Sequence, residues 1–186
     1  MLNPVLSEPK ARARSIRYRC RSCTKLHQGL PELTFGAPDR YVLVPESERA
    51  DRARLGTDYC VVDDSYFYLR CRLELPVRGF AETLRLGVWA RIGKDLFTAY
   101  FQRAGSGDEP AIEPFFCLIA NDLPGYPGTN GLPGKVVAGE GRGGAPSLVP
   151  GAAEHPLARD ARDGLSIERA LEIVHASRLG ALVVLG

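Results

Sequence analysis

Apolar and polar positions alternate without a break over residues 66–75. Phe67, Leu69, Cys71, Leu73 and Leu75 fall on one side, with Tyr66, Tyr68, Arg70, Arg72 and Glu74 on the other. A period of two marks a strand with one buried face in an antiparallel sheet. The pattern returns after residue 83, with Leu84, Leu86, Val88, Ala90 and Ile92 inward and Arg85, Gly87, Trp89 and Arg91 outward. The short link between them predicts that these strands pair as an antiparallel meander.

Elsewhere the pattern predicts shorter pieces. Residues 15–20, 59–62, 115–120 and 135–138 read as strands, residues 40–44 as a brief β-rich run, and Asp63-Asp64-Ser65 as a turn. Pro45 opens a predicted helix over residues 45–55. Its acids Glu46 and Glu48 precede Arg49, Arg52 and Arg54, the order that suits the helix dipole, and Gly56 is its stop. Residues 94–103 read as a short helix. Residues 120–151 carry nine glycines and five prolines, so regular structure there must be brief. Two helical pieces follow, residues 156–162 behind Pro156 and residues 167–178 capped by Ser166, before an apolar tail with edge-strand character. The expected architecture is α+β: one domain, a mainly antiparallel sheet, two or three short helices against one face and an N-terminal Cys-x-x-Cys knuckle. The domain is expected over residues 16–180, with a flexible basic arm at 1–15 and the apolar tail at 181–186.

Charge sharpens that division. The 186 residues carry a net charge of +2, but residues 1–25 hold seven Lys or Arg against one acid. Such an arm can contact phosphates by counterion release. No aromatic is interleaved before Tyr18, so a solvated tail is the simpler reading. No apolar run reaches the length of a membrane span or a signal segment, so no membrane association is expected. Five cysteines, an odd number, suit a cytoplasmic protein with reduced thiols or a metal site.

The strongest chemical motif is Cys20-x-x-Cys23-x-x-x-His27. Two thiolates spaced this way can turn around one ion, and a histidine four residues on can reach the same centre, as tetrahedral structural zinc requires. Arg19, Arg21 and Lys25 would lower the thiol pKa values. Cys60, beside the polar Thr57-Asp58, is the first choice for a fourth ligand, and His155 is the other. Cys71 and Cys117 sit among apolar neighbours and read as core. A redox role for the pair lacks the βαβ context that would support it.

Pairing of the two long strands would gather Tyr66, Tyr68, Arg70, Arg72, Arg85, Trp89 and Arg91 on one outward face. Tyr, Trp and Arg are enriched in binding hot spots, and aromatics beside arginines can stack bases. The competing reading is that other elements cover this face. The function expected is therefore a zinc-stabilised binding module for a protein or nucleic-acid partner; His155, just before a helix start, reads first as a cap or packing residue and second as an anion contact with Arg162. The rival is a small metal-assisted or acid/base hydrolase using His155 with Asp63 or Asp64.

Several stretches together resemble the bacterial family labelled domain of unknown function 2199. They are Tyr18-x-Cys20-x-x-Cys23-x-x-x-His27-x-Gly29-Leu30-Pro31, Asp58-x-Cys60-Val61-Val62-Asp63, Gly87-Val88-Trp89, Pro114-Phe115-Phe116, Leu123-Pro124-Gly125-Tyr126-Pro127-x-Thr129 and His155-Pro156-Leu157-Ala158. Thr24-Lys25 stands where the family has Gly-Lys, and Cys117-Leu118-Ile119 where it often has a tryptophan. The resemblance implies a single cytoplasmic domain and favours Cys60 as partner to the knuckle. It implies no activity, substrate or cofactor.

Overall fold

The computed structural model describes residues 16–19, 24–106, 113–139, 144–177 and 182–185. The first elements are β1 (Ile16–Arg19), β2 (Leu26–Gln28), β3 (Leu33–Thr34), α1 (Asp39–Leu43) and α2 (Arg49–Arg52). Next come β4 (Ala53–Leu55), β5 (Tyr59–Val62), β6 (Tyr66–Pro76), β7 (Thr83–Ile92), α3 (Lys94–Ser106) and β8 (Phe115–Ile119). The last are β9 (Pro133–Val137), β10 (Ser147–Pro150), α4 (Pro156–Asp163), α5 (Ile167–Ala176) and β11 (Leu182–Leu185).

The two alternating strands pair antiparallel, from Phe67 opposite Ile92 to Pro76 opposite Thr83. From β7 the sheet runs through β8, β9 and β10, each antiparallel to the last. β10 then returns parallel to β6, with Ser147 beside Arg72, and closes five strands into a barrel. The inward residues Leu69, Cys71, Leu73, Leu75, Leu84, Leu86 and Val88 fill it. Leu157 of α4 and Ala170, Ile173 and Val174 of α5 join the same cluster, so these helices cover part of the barrel. Five α-helices are present among the described residues, more than the two or three expected, and the mainly antiparallel sheet closes on itself.

A second layer lies on the outward side of β6 and β7. Tyr68 and Trp89 are buried there with Val44, Cys60, Val62 and Ala120, and Phe35, Tyr41, Ala53 and Tyr66 pack around them. Each large apolar residue buried in this way adds about 2 kcal/mol. The strap at residues 35–45 that covers Trp89 is held by polar contacts. Trp89 Nε1 donates to Phe35 O at 2.9 Å, and its backbone N–H to Asn121 Oδ1 at 2.8 Å. Asn121, fully buried, donates through Nδ2 to Ala37 O at 3.0 Å and Asp39 Oδ1 at 3.1 Å. Asp39 Oδ2 accepts from Asp122 N–H at 2.7 Å and Asn130 Nδ2 at 3.0 Å.

Two local expectations are overturned. Residues 40–44 lie in the short helix α1 and its C-cap Val44 instead of a β run. Pro38 is extended at its N-cap and Asp39 is fastened to residues 120–122. The predicted helix over residues 45–55 is a 3-10 turn (Glu46–Glu48), then α2, then the strand β4. Ala53 to Leu55 pair with Val62 to Cys60, so tertiary pairing overrides local helix propensity. The turn from β5 to β6 is formed as expected, with Asp63 at φ 52 and Asp64 at φ 46, left-handed values that aspartate tolerates better than most side chains.

A separate three-stranded sheet, β11–β1–β2, pairs strands from opposite ends of the sequence. It is fastened to the barrel where Ile16 N–H donates to Glu82 Oε1 at 3.1 Å, just before β7.

Asn121→Ala leaves the Trp89 N–H and the Ala37 carbonyl without their partner, so it should cost about 3 kcal/mol. Urea unfolding should show a lower midpoint at an unchanged slope. A loss under about 0.5 kcal/mol would show that Asn121 does not hold the strap.

Candidate binding groove

β6 changes partner in mid-strand. Tyr66 to Leu69 pair with β5, and Arg70 N–H still donates to Asp58 O at 2.9 Å. Two residues on, Arg72 N–H donates to Pro146 O at 2.8 Å, and β10 takes over. Where β5 and β10 diverge, a groove of about 300 Å³ opens. Arg70, Arg72 and Gly87 form its floor, Glu32 and Asp58 lie at its sides, Tyr100 and Phe101 of α3 make one wall, and Gly144 to Pro146 another. Gly87, opposite Arg72, has little room for a side chain: an added Cβ would lie 3.3 Å from Thr34 Oγ1. The α3 wall is anchored by aromatic rings, with Phe97 5.3 Å from Phe67 and Phe101 5.7 Å from Tyr59 between centroids.

The seven residues expected on one face are thus divided. Register places them together, but Tyr68 and Trp89 are core side chains at 2% and 0% exposure. The strap covers them, which corrects the expectation that they face a partner. Tyr66 is half-buried under Arg40, whose guanidinium lies 3.5 Å from the ring centroid, and Arg91 lies over the same ring at 5.9 Å. Arg85 pairs with Glu74 at 3.3 Å. Arg70 and Arg72 alone of the seven line the groove. Sequence reading missed Glu32, Asp58, Tyr100 and Phe101, because a change of strand partner leaves no periodic signal.

Of the expected metal ligands, Cys20 and Cys23 lie outside the described residues. They belong to the connection between β1 and β2, where His27 pairs with Tyr18 and stacks on its ring at 5.2 Å. Cys60 is elsewhere. It packs in the second-layer core, paired with Tyr68, and burial pushes its thiol pKa up to about 12. This apolar setting is that of a core thiol, while Cys20 and Cys23, with which it was expected to share an ion, fall outside the described residues. Among the described residues no group of three or more His, Cys, Asp or Glu could hold a metal ion.

His155, the other expected ligand, has both ring nitrogens engaged within the described structure. It caps α4, its Nδ1 accepting from Leu157 N–H at 3.1 Å, while Nε2 lies 3.2 Å from Pro127 O. Accepting at Nδ1 places the proton on Nε2, which donates to that carbonyl. Nδ1 thus caps α4 while Nε2 reaches the 123–127 loop, and the ring links the two. Tyr126 of that loop, fully buried, donates to Asp160 Oδ2 at 2.7 Å, and Arg169 Nη2 donates to Gly125 O. Arg162 is exposed and paired with Asp163 at 2.8 Å. Asp63 accepts from Arg52 at 2.7 and 3.2 Å, which holds its carboxyl below the usual range, and Asp64 pairs with Arg54. Nothing among the described contacts joins His155 to either aspartate, so the expected acid/base pair is not assembled.

With this geometry in place, comparison with known proteins supplies one match. A family described as an uncharacterized protein conserved in bacteria, domain of unknown function 2199, matches residues 19–165. The chain belongs to this family. No curated protein and no solved structure matches it. The match spans the barrel, the second layer and the groove, and ends at Leu165, before α5 and β11. No helix among the described residues is long and apolar enough to cross a membrane.

The buried thiols and phenol set an alkaline limit. Burial raises Cys60 and Cys117 from 9.0 to about 12 and Tyr68 from 10.0 to about 12. In the unfolded protein these groups lose protons near their ordinary values, so the unfolded state binds fewer protons above pH 9. The contribution of these groups should be constant below that pH, and stability should fall as pH rises towards about 12. Urea unfolding should show this decline, with a shallower slope in Cys60→Ala. An equal slope in the variant would mean that Cys60 is not desolvated.

Proposed function

We propose that this protein is a cytoplasmic protein-binding module whose partner docks in the groove beside Arg70 and Arg72. The observation that carries the reading is the state of Arg72. Its side chain has no hydrogen-bond or ion-pair partner among the described residues, although it lines a formed groove with an aromatic wall. Among the described residues Arg70 reaches only Thr57 O, at 3.3 Å. Arginine beside aromatic side chains is the composition of binding hot spots. Glu32 and Asp58 in the same groove oppose a polyanion, which favours a protein over a nucleic acid.

The test is a photo-crosslinking amino acid placed at position 145, an exposed groove-lining alanine, in living cells, with Val149, exposed on β10, as control position. A discrete protein adduct from position 145, lost when Arg72→Glu is added, is the expected result. Identical adducts from both positions, or none from position 145, would contradict the assignment.

The same proposal includes a structural zinc held by Cys20, Cys23 and His27. Its support is the ligand chemistry of the Cys-x-x-Cys pair in a connection between antiparallel strands, with His27 on the second strand. Elemental analysis of protein purified without chelator should find about one zinc per molecule, lost in Cys20→Ser and retained in Cys60→Ser. Metal-free parent protein would sink this part.

A further inference from the structure

The groove's chemistry narrows its partner, on the reading that the groove is the docking site. We propose that it takes a carboxylate of a peptide segment, held by Arg72 with Arg70 beside it, while the neighbouring peptide side chain lies against Tyr100 and Phe101. The carboxylate is the partner's free C-terminus, because a groove with room for one or two residues suits the end of a chain.

Three observations support this ligand. First, the outward arginines of the β6–β7 hairpin differ in their partners. Arg85 has Glu74, Arg91 has the ring of Tyr66, Arg70 has one carbonyl, and Arg72 has no partner among the described residues. A planar guanidinium is matched by a carboxylate, which can accept two parallel N–H bonds. Second, neither Glu32 nor Asp58 has an ion-pair partner among the described residues, so the groove pairs two cationic with two anionic side chains. A multiply charged anion gains little from such a site. A peptide does, because its carboxylate meets the arginines while its N–H groups can donate to the acids. Third, the volume of about 300 Å³ is at the small end for ligand sites and suits one or two residues.

The full-length, ¹⁵N-labelled protein can be titrated with four probes and its amide shifts followed. The probes are acetyl-trialanine with a free C-terminus, the same peptide amidated, amidated acetyl-Ala-Glu-Ala, and inorganic phosphate. The proposal expects acetyl-trialanine with a free C-terminus to move the amides of Arg70, Arg72 and Ala145, binding about 10-fold more tightly than its amide. Equal or tighter binding of amidated acetyl-Ala-Glu-Ala would overturn the C-terminal assignment in favour of a side-chain carboxylate. Arg72→Ala should reduce binding to the level of the neutral peptide, and Arg72→Lys, which keeps the charge without the planar fork, should fall between. Equal binding of the neutral peptide, unaffected by Arg72→Ala, would overturn the carboxylate and leave the groove as a docking site. Shifts with phosphate alone would overturn it in favour of another anion. If no probe moves the groove amides, the docking reading falls with it.

Discussion

The ladder between β6 and β7 carries the rest of the molecule. Its inward residues supply much of the barrel interior, and its outward residues supply Tyr68 and Trp89 to the second layer. One strand pair thus serves two cores. The barrel, the strap and the groove all refer back to β6, whose other edge is shared between β5 and β10. Because β5 leaves at Asp58 and β10 arrives at Pro146, the sheet must part between Arg70 and Arg72. The groove is a geometric consequence of that exchange.

Polar groups decide which part of the outward face is covered. The strap over Trp89 is not a regular sheet or helix packed by area alone. Asp39 and Asn121 satisfy one another, the Trp89 N–H and the ends of neighbouring loops. A buried network of this kind is stabilising only when each member is paired, which ties the position of α1 to the loop after β8. The 123–127 loop is gripped in a similar way by His155, Asp160 and Arg169, so histidine chemistry is spent on architecture.

Much of the central hairpin was legible because strict alternation leaves only one pairing that buries Leu69, Leu73 and Leu86 together. The cap at Ser166 was legible too: its hydroxyl accepts from Arg169 N–H at 3.2 Å. The return of β10 was hidden, since residues 147–150 are short and their parallel partner lies some seventy-five residues earlier, at Arg72. Residues 40–44 misled for a related reason. Their β-branched and aromatic composition favours a strand, yet Tyr41 and Val44 pack with Trp89 from a helical turn and leave Leu43 82% exposed. At the candidate site, alternation identified Arg70 and Arg72 as outward, but it could not distinguish them from Trp89, which the strap removes from solvent.

Everything proposed for the groove rests on the division of that face into a covered half and an open half. Trp89 is the only tryptophan, so its fluorescence reads the division directly. A ring held under the strap should give blue-shifted emission in the native protein and weak quenching by acrylamide, with both properties lost together on global unfolding. Solvent-exposed emission and free quenching under native conditions would contradict the covered half, and would return Tyr68 and Trp89 to the surface beside the arginines.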